Sequence, residues 1–488
     1  MALPAGRAFL CPEVHPYRNP YDRNRGVAIG LRGERSASGV RESGSCVVAL
    51  GSMRELTDEA PVGETITSGT PQPVTIPSSR YIDAAFADLE LRRLWPRVWQ
   101  FACSSDHVAN PGDAYEYRCG PYSTVIVRGE DGLLRAFQNV CRHRGSAICD
   151  GAASGLTELR CPFHRWSWDL TGRLREVPSR RGFGALPAQD YGLFPVAVDT
   201  WGPMVFVDPS NSGGPLADFL EGVPEDIEWV GLDEFHCDYL VSVPLPGNWK
   251  VISDGFSETY HIQGIHREML PTVDDVNGPQ RLWQHHGKLE QRYGLPSPRF
   301  REPPAVQAVW ESFIEVMGAR IGITDPSAPV PPVPPGETLR DVLAGILRNV
   351  GDSEGVSYDR FTNDQLMTLQ QYNLFPNVSL VIFPDMMTVL RSRPGTTPGD
   401  GYLDIIHYSR RAPGAPRAHP IDALLPAGQD PGSLVMNQDA GNVARAQRGL
   451  QQPGFSRMTL SREECRILNM HRNLERWLGI TPTEIRGD

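Results

Sequence analysis

The sequence contains Cys141-Arg-His143, then seventeen residues, then Cys161-Pro-Phe-His164. Each of these two arms offers one thiolate and one imidazole, side chains that serve as metal ligands in proteins. Short runs of β-forming residues surround the arms and are separated by turn residues: Thr124–Val127, Leu134–Phe137 and Met204–Val207. The pattern predicts a small antiparallel domain that presents the two arms on neighbouring loops.

The mixed content of each arm favours one kind of iron centre. A Rieske [2Fe–2S] cluster takes two cysteines on one iron and two histidines on the other, and the neutral imidazoles raise its reduction potential. A structural zinc site is the alternative, but zinc fingers usually place both cysteines in one arm and both histidines in the other. We therefore expect four residues to bind a Rieske cluster that carries single electrons: Cys141, His143, Cys161 and His164.

Length and composition set limits on the rest of the chain. Its 488 residues can bury at least two hydrophobic cores. A formal net charge of −11 argues against nucleic acid or an anionic membrane as a partner, because both favour basic surfaces. No run approaches the roughly 18 apolar residues of a membrane span. The nine cysteines are too sparse for a disulfide framework and the first residues lack signal-peptide features, so we expect a cytoplasmic protein.

A second dense group of ligand-type side chains lies between Asn248 and His266. Asp254, Glu258 and His261 follow helical spacing, so a continuous helix would place all three on one face. Two imidazoles and one carboxylate form the facial triad of non-haem Fe(II), which leaves open positions for O₂. A histidine pair on a helix is more often structural, but the cluster motif upstream favours a second metal site.

Together the two motifs resemble the α subunit of the Rieske non-haem iron oxygenases. The resemblance covers roughly residues 80–480 and includes Asn248-Trp-Lys and Glu258-x-Tyr-His261-x₄-His266. It implies an α+β fold, with a small all-β Rieske domain and a helix-grip catalytic domain built from an antiparallel sheet and helices. It also implies that His261 and His266 bind a mononuclear Fe(II), in a homotrimer or in a hetero-hexamer with a β subunit.

The same resemblance implies the third iron ligand. The family supplies an Asp from a downstream helix that leads into a Gln-Arg-Gly-Leu segment, and Gln438–Leu450 matches that pattern. Asp439 is therefore the expected ligand. The alternative is an ordinary Asp stabilised near a helix N-terminus, and Asp385 is a weaker candidate for the ligand itself.

Three further positions carry expectations from the family pattern. Glu258 is expected to bridge His261 to His164 of a neighbouring subunit, although many family members have Asp there. Asn248 is expected near the iron, and a helix cap would explain it equally well. Arg165 stands where the family usually has Gly, which adds a positive charge beside the cluster.

Composition and periodicity also suggest boundaries. Residues 1–78 are predicted to be a disordered extension, and residues 79–98 to form an N-terminal helix that packs on the catalytic domain. The Rieske domain is expected over residues 99–214 and the catalytic iron domain over residues 215–488.

The resemblance implies a terminal oxygenase that uses O₂ to hydroxylate a small organic substrate, with an aromatic or bulky apolar compound expected. Electrons from NADH are expected to arrive through a flavin reductase, a ferredoxin or both, because the chain has no dinucleotide-binding fingerprint of its own. One alternative is an oxidative N- or O-demethylase of the same family. Another, from a different class, is a Rieske electron-transfer protein without catalytic iron.

Overall fold

The computed structural model describes residues 74–429 and 431–481. Its architecture is α+β, as the resemblance implies, with an all-β domain followed by a large sheet that carries helices. The chain enters through one strand and two helices: β1 Val74–Pro77, α1 Ser79–Ile82 and α2 Ala84–Arg93. Among the described residues, no helix combines the length and apolar character needed to cross a bilayer.

This N-terminal segment corrects two expectations. The predicted extension ends before residue 78, because Val74–Pro77 pairs with the strand Arg457–Leu460; residues 1–73 lie outside the described ranges. The predicted single helix is two helices, because the Asp83 side chain accepts a hydrogen bond from the Ala85 N–H at 2.8 Å and starts the second one. That helix packs on the helix Cys465–Leu478.

The cluster-binding arms lie in an all-β region whose ten strands form two sheets. The strands are β2 Gln100–Ser104, β3 Ala114–Cys119, β4 Tyr122–Arg128, β5 Leu134–Gln138, β6 Ala152–Ala153, β7 Leu159–Arg160, β8 Ser167–Trp168, β9 Leu174–Glu176, β10 Pro195–Trp201 and β11 Met204–Asp208. One sheet has the order β2-β11-β10-β5-β4-β3-β6, and the other has the order β7-β8-β9. The first arm follows β5 and the second connects β7 to β8, so the three predicted strands and the loop placement are confirmed.

The second region is built around a nine-stranded sheet. Its helices are α3 Leu216–Leu220, α4 Val223–Ile227, α5 Trp249–Asp254, α6 Ile262–Ile265, α7 Val306–Met317, α8 Leu339–Glu354, α9 Asn363–Leu366, α10 Leu434–Leu450 and α11 Cys465–Leu478. Its strands are β12 Phe235–Leu245, β13 Val273–Asp274, β14 Gln280–Leu282, β15 Gly287–Tyr293, β16 Thr368–Leu374, β17 Val378–Ile382, β18 Met386–Pro394, β19 Gly401–Arg410, β20 Ile421–Leu424 and β21 Arg457–Leu460. The sheet order is β13-β15-β16-β17-β18-β19-β12-β20, with β14 beside β15. Helix α5 packs on β18, on β19 and on α10, which brings the two motif-bearing segments together.

A buried ionic clamp joins the two regions. Arg391 donates to the backbone carbonyls of Phe101 and Ala102 at 2.8 and 2.7 Å, and also to Asp404 at 2.7 Å. Burial alone would raise the pKa of Asp404, but Arg393 and Arg391 hold it far below its usual value. Breaking such a buried pair from one side costs about 3–5 kcal/mol, so the clamp fixes the catalytic sheet against strand β2.

Candidate metal centres

The two cluster-binding arms fold into the same turn. In the first arm the Cys141 N–H donates to Ser146 O at 2.8 Å, and the Gly145 N–H donates to Cys141 O at 3.0 Å. In the second arm the Cys161 N–H donates to Trp166 O at 2.8 Å, and the Arg165 N–H donates to Cys161 O at 3.1 Å. Each arm therefore closes on itself, and its cysteine begins the turn.

The arms meet through their histidines. The rings of His143 and His164 have centroids 4.7 Å apart, and the His143 ring stacks on Trp166 at 5.3 Å. Cys141 and Cys161 are both buried. The structure thus brings together all four residues that the spacing singled out.

The donor set fits a [2Fe–2S] cluster of the Rieske type. The Nδ1 atom of His143 is buried and has no hydrogen-bond partner among the described residues, a costly state that an iron ligand bond would relieve. Burial raises the pKa of the Cys141 thiol. Burial also opposes ionisation of Cys161, but the backbone N–H groups of Phe163 and His164 outweigh it and lower the pKa of that thiol.

Asn139 supports the first arm. In the sequence it belongs to the flank that fits a cluster-binding hairpin, but its contacts are visible only in the structure. Its amide oxygen accepts from the N–H groups of Ile148 and Cys149 at 2.8 and 3.0 Å, and its amide nitrogen donates to Glu116 and to the Cys149 carbonyl. The signal was its position two residues before Cys141. A buried amide with every partner satisfied holds a loop rigid.

Arg165, which stands where the family usually has Gly, has a left-handed backbone conformation. It has φ of 66°, and the equivalent residue of the first arm, Gly145, has φ of 80°. A side chain in this left-handed region costs free energy that glycine avoids.

We expect Arg165→Gly to raise the free energy of unfolding of the Rieske domain. The relief of left-handed strain exceeds the extra freedom of glycine in the unfolded chain, for a net gain of about 0.5–1 kcal/mol. The measurement is the temperature at which the visible absorbance of the loaded cluster is lost. Arg165→Lys keeps both the charge and the backbone strain and should leave that temperature unchanged; equal shifts in the two variants would contradict the backbone explanation.

The second group of ligands comes from α6 and α10. His261 precedes α6 and His266 follows it, while Asp439 lies in α10. One ligand atom from each of these three residues lies within 4.8 Å of the others. The Asp439 carboxylate is 2.9 Å from Nε2 of His266 and 3.8 Å from Nε2 of His261.

Two side chains hold the outer ring nitrogens. Glu258 Oε1 lies 2.6 Å from His261 Nδ1, and its other oxygen accepts from the His261 N–H at 3.0 Å. Gln438 Oε1 lies 2.6 Å from His266 Nδ1. Outer partners of this kind fix the ring tautomer and leave Nε2 for a metal, so the three residues fit a mononuclear iron. Sequence reasoning quoted Gln438 only as the neighbour of Asp439.

The predicted continuous helix through Asp254, Glu258 and His261 is wrong. Helix α5 ends at Asp254. The Asp254 carboxylate accepts from the Tyr81 hydroxyl at 2.6 Å, and that hydroxyl also lies 2.6 Å from His471 Nε2. Burial raises the pKa of Asp254 to about 7. Asp254 therefore belongs to a buried contact with the N-terminal segment and does not share a helix face with Glu258.

Two other candidates have different partners. Asp385 is held at both oxygens by Arg320, so the structure does not support it as the alternative iron ligand. Asn248 caps α5: its oxygen accepts from the Lys250 N–H at 3.0 Å, and its nitrogen donates to Pro398 O at 2.8 Å. This favours the capping alternative for Asn248, and a role beside the iron stays a prediction.

Comparisons with known proteins agree with this geometry. Residues 98–191 match the Rieske [2Fe-2S] domain. Residues 228–480, more than half of the chain, match the ring hydroxylating alpha subunit (catalytic domain). These stretches contain both arms and the three-ligand group.

The chain is also similar to named oxygenase subunits and to solved oxygenase structures. The glycine betaine monooxygenase oxygenase subunit of Pseudomonas aeruginosa is 28% identical over 209 residues, which are 42% of this chain and 48% of that protein. The chain therefore spans about half the length of this curated relative. A quaternary ammonium Rieske monooxygenase in complex with its substrate L-carnitine has a TM-score of 0.59 at 17% identity, covering 83% of this chain and 96% of that one.

Naphthalene 1,2-dioxygenase with indole in its active site has a TM-score of 0.60 at 15% identity, covering 84% of this chain and 94% of that chain. At such low identities the likeness of the two solved structures shows the fold alone. The family profile spans more than half of the sequence. The chain belongs to the α subunits of the Rieske non-haem iron oxygenases.

Proposed function

We propose that this chain is the terminal oxygenase subunit of a monooxygenase that hydroxylates a carbon bonded to the nitrogen of a quaternary ammonium compound. The observation that supports an oxygenase is the group His261, His266 and Asp439, with ligand atoms within 4.8 Å, in the same chain as the paired Cys/His arms. An electron-transfer protein needs no such second site. The substrate class comes from the named relatives, which favour the demethylase alternative over an aromatic substrate.

The residues divide into two sets. Four would hold the cluster: Cys141, His143, Cys161 and His164. Three would hold the mononuclear iron: His261, His266 and Asp439. When bound, the cluster supplies single electrons and the iron makes O₂ reactive toward a C–H bond.

The chain's own residues prepare the iron site. Glu258 would accept the Nδ1 proton of His261, and Gln438 that of His266, which would leave both Nε2 lone pairs for a metal held beside Asp439. The buried position of His266 excludes water from its side of the site. Glu258 is also proposed to reach the second Rieske histidine, His164, of a neighbouring copy, which would join the two centres across subunits.

The reaction balances with an external electron source. O₂ takes two electrons and two protons; one oxygen atom enters the C–H bond and the other leaves as water. A carbon that carries both a hydroxyl group and a quaternary nitrogen then loses its C–N bond, which releases an aldehyde, a tertiary amine and a proton. The electrons require a reductase partner that oxidises NADH, because the sequence has no dinucleotide-binding fingerprint.

We expect the iron-loaded protein, reconstituted with an NADH-dependent reductase, to consume glycine betaine or L-carnitine at least about tenfold faster than naphthalene, because an enzyme discriminates between substrates by how well it binds their transition states. Mass analysis should find the tertiary amine and the matching aldehyde in equal amounts. His261→Ala protein, tested in parallel, should form neither. Conversion of naphthalene to a dihydrodiol with both amines untouched would support the aromatic alternative and contradict this proposal.

A further inference from the structure

Nearly every buried cation of the described residues has a carboxylate partner. Eight lysine or arginine residues are buried among the described residues. Seven of them form ion pairs: Arg80–Glu475, Lys250–Glu90, Lys288–Asp226, Arg320–Asp385, Arg340–Asp364, Arg391–Asp404 and Arg410–Glu234. The eighth, Arg466 at the start of α11, has no carboxylate within ion-pair distance among the described residues.

Only one end of the Arg466 guanidinium is satisfied. Its Nη1 donates to Gln371 Oε1 at 2.8 Å and to Asn373 Oδ1 at 2.6 Å. Its Nε and Nη2 are buried and have no partner among the described residues, although the residue is only 2% exposed. Burial lowers the pKa of Arg466 to about 10, so the group remains a cation at neutral pH. Glu258 attracts the Arg466 cation but lies beyond ion-pair distance. A buried charge without a contacting anion is costly, and an anion bound to it would offset that cost.

Two other arginines of this protein bind carboxylates through the edge that is unpaired in Arg466, formed by Nε and Nη2. Arg320 presents Nε and Nη2 to the two oxygens of Asp385, and Arg393 presents the same pair of atoms to Asp404. These two nitrogens form the planar fork that matches a carboxylate. Arg466 offers the same fork with no carboxylate on it.

A cavity lies beside Arg466. Its volume is about 20 Å³, and its polar lining includes Ser253, Ser257, His285 and Asn469. A single water needs about 10–15 Å³ of cavity volume, so the space suits a small ion and excludes larger organic molecules. Gly287 leaves the room that the arginine stem occupies, because a Cβ there would lie 2.9 Å from Arg466 Cγ.

We propose that the Nε–Nη2 edge of Arg466 binds a small carboxylate anion, of the size of formate, in this cavity. The two N–H groups of the fork would each donate to one of the two carboxylate oxygens. This site is separate from the three iron ligands and does not depend on the proposed substrate class.

The site is connected to the segment that carries Glu258. Gln371 and Asn373, which accept from Arg466, also donate to the Phe256 carbonyl at 3.0 and 2.9 Å. Phe256 lies two residues before Glu258. A carboxylate on Arg466 would therefore stabilise the backbone that positions Glu258, and its loss would loosen that backbone.

The test is calorimetric titration of sodium formate into the full-length, iron-loaded protein at constant ionic strength in a buffer free of other carboxylates. We expect saturable binding of one formate to the wild type and to Arg472→Met, which removes an exposed arginine from the same helix. Arg466→Met should bind at least about tenfold more weakly, and Arg466→Lys should also be weakened because it keeps the charge but loses the fork. The His261→Ala protein should retain binding, which separates this site from the iron.

A second measurement covers the case in which Arg466→Met does not fold. Crystals of the wild type soaked in bromide should show an anomalous peak against Nε and Nη2 of Arg466, and added formate should displace it. Water alone at both nitrogens, or a carboxylate side chain from a neighbouring copy on that edge, would overturn the proposal. Formate binding of equal strength in wild type and a folded Arg466→Met would overturn it as well.

Discussion

Asp439→Ala protein should contain about two irons per chain where the wild type contains about three, the sum of a two-iron cluster and one mononuclear site. Oxygenation should fall to background. The reason is that Asp439 supplies the carboxylate oxygen of the three-ligand group, in which one atom each of His261, His266 and Asp439 lies within 4.8 Å of the others. Two imidazoles alone rarely hold Fe(II) in water, because a neutral pair leaves the charge of the metal uncompensated.

Two measurements check this expectation. Metal analysis by mass spectrometry counts the irons, and the paramagnetic signal of the dithionite-reduced cluster shows that the Rieske domain is intact. Asp385→Ala is the matched control, because it removes the same side chain from a half-buried carboxylate that pairs with Arg320 instead. It should keep all three irons. Loss of the third iron in Asp385→Ala, with retention in Asp439→Ala, would reverse the ligand assignment.

The sequence best predicts the parts of the structure whose hydrogen bonds join residues close together in the chain. Both cluster-binding arms form two backbone hydrogen bonds within six consecutive residues, so spacing alone predicts loops of the right kind. The strands around them alternate and end at turn residues, which local patterning also detects. Even the left-handed backbone at Arg165 could be inferred from the local sequence, since the family usually has Gly at that position.

Contacts between distant segments could not be predicted in this way. Asp439 lies 173 residues beyond His266, and only the resemblance to a family pattern placed it at the iron site. The partner of Asp254 is equally distant in the sequence: Tyr81, 173 residues earlier, donates its hydroxyl hydrogen to the Asp254 carboxylate. The contact of Gln438 with His266 and the missing partners of Arg466 depend on how α10, α11 and the large sheet pack together. Periodicity describes one element at a time, whereas these partners are set by tertiary packing.

Glu258→Gln should keep all three irons and yet form product about 100-fold more slowly, near the upper end of the effects seen when a partner of a metal-bound histidine is changed. Glutamine retains an oxygen that can accept the His261 Nδ1 proton now held at 2.6 Å, so the ring keeps its tautomer and the iron stays bound. What the variant loses is the negative charge, and with it the ability to bridge two imidazoles across a subunit boundary.

The control for that variant is Glu268→Gln, which neutralises a carboxylate 4.0 Å from Nδ1 of the other histidine, His266. Gln438 already holds that nitrogen, so turnover should be nearly unchanged. Rapid mixing of the reduced protein with O₂ and substrate then separates the possible causes. Slow oxidation of the cluster in Glu258→Gln alone indicates that the carboxylate couples the two centres, whereas cluster oxidation at the wild-type rate would contradict the bridge and leave Glu258 as a support for His261.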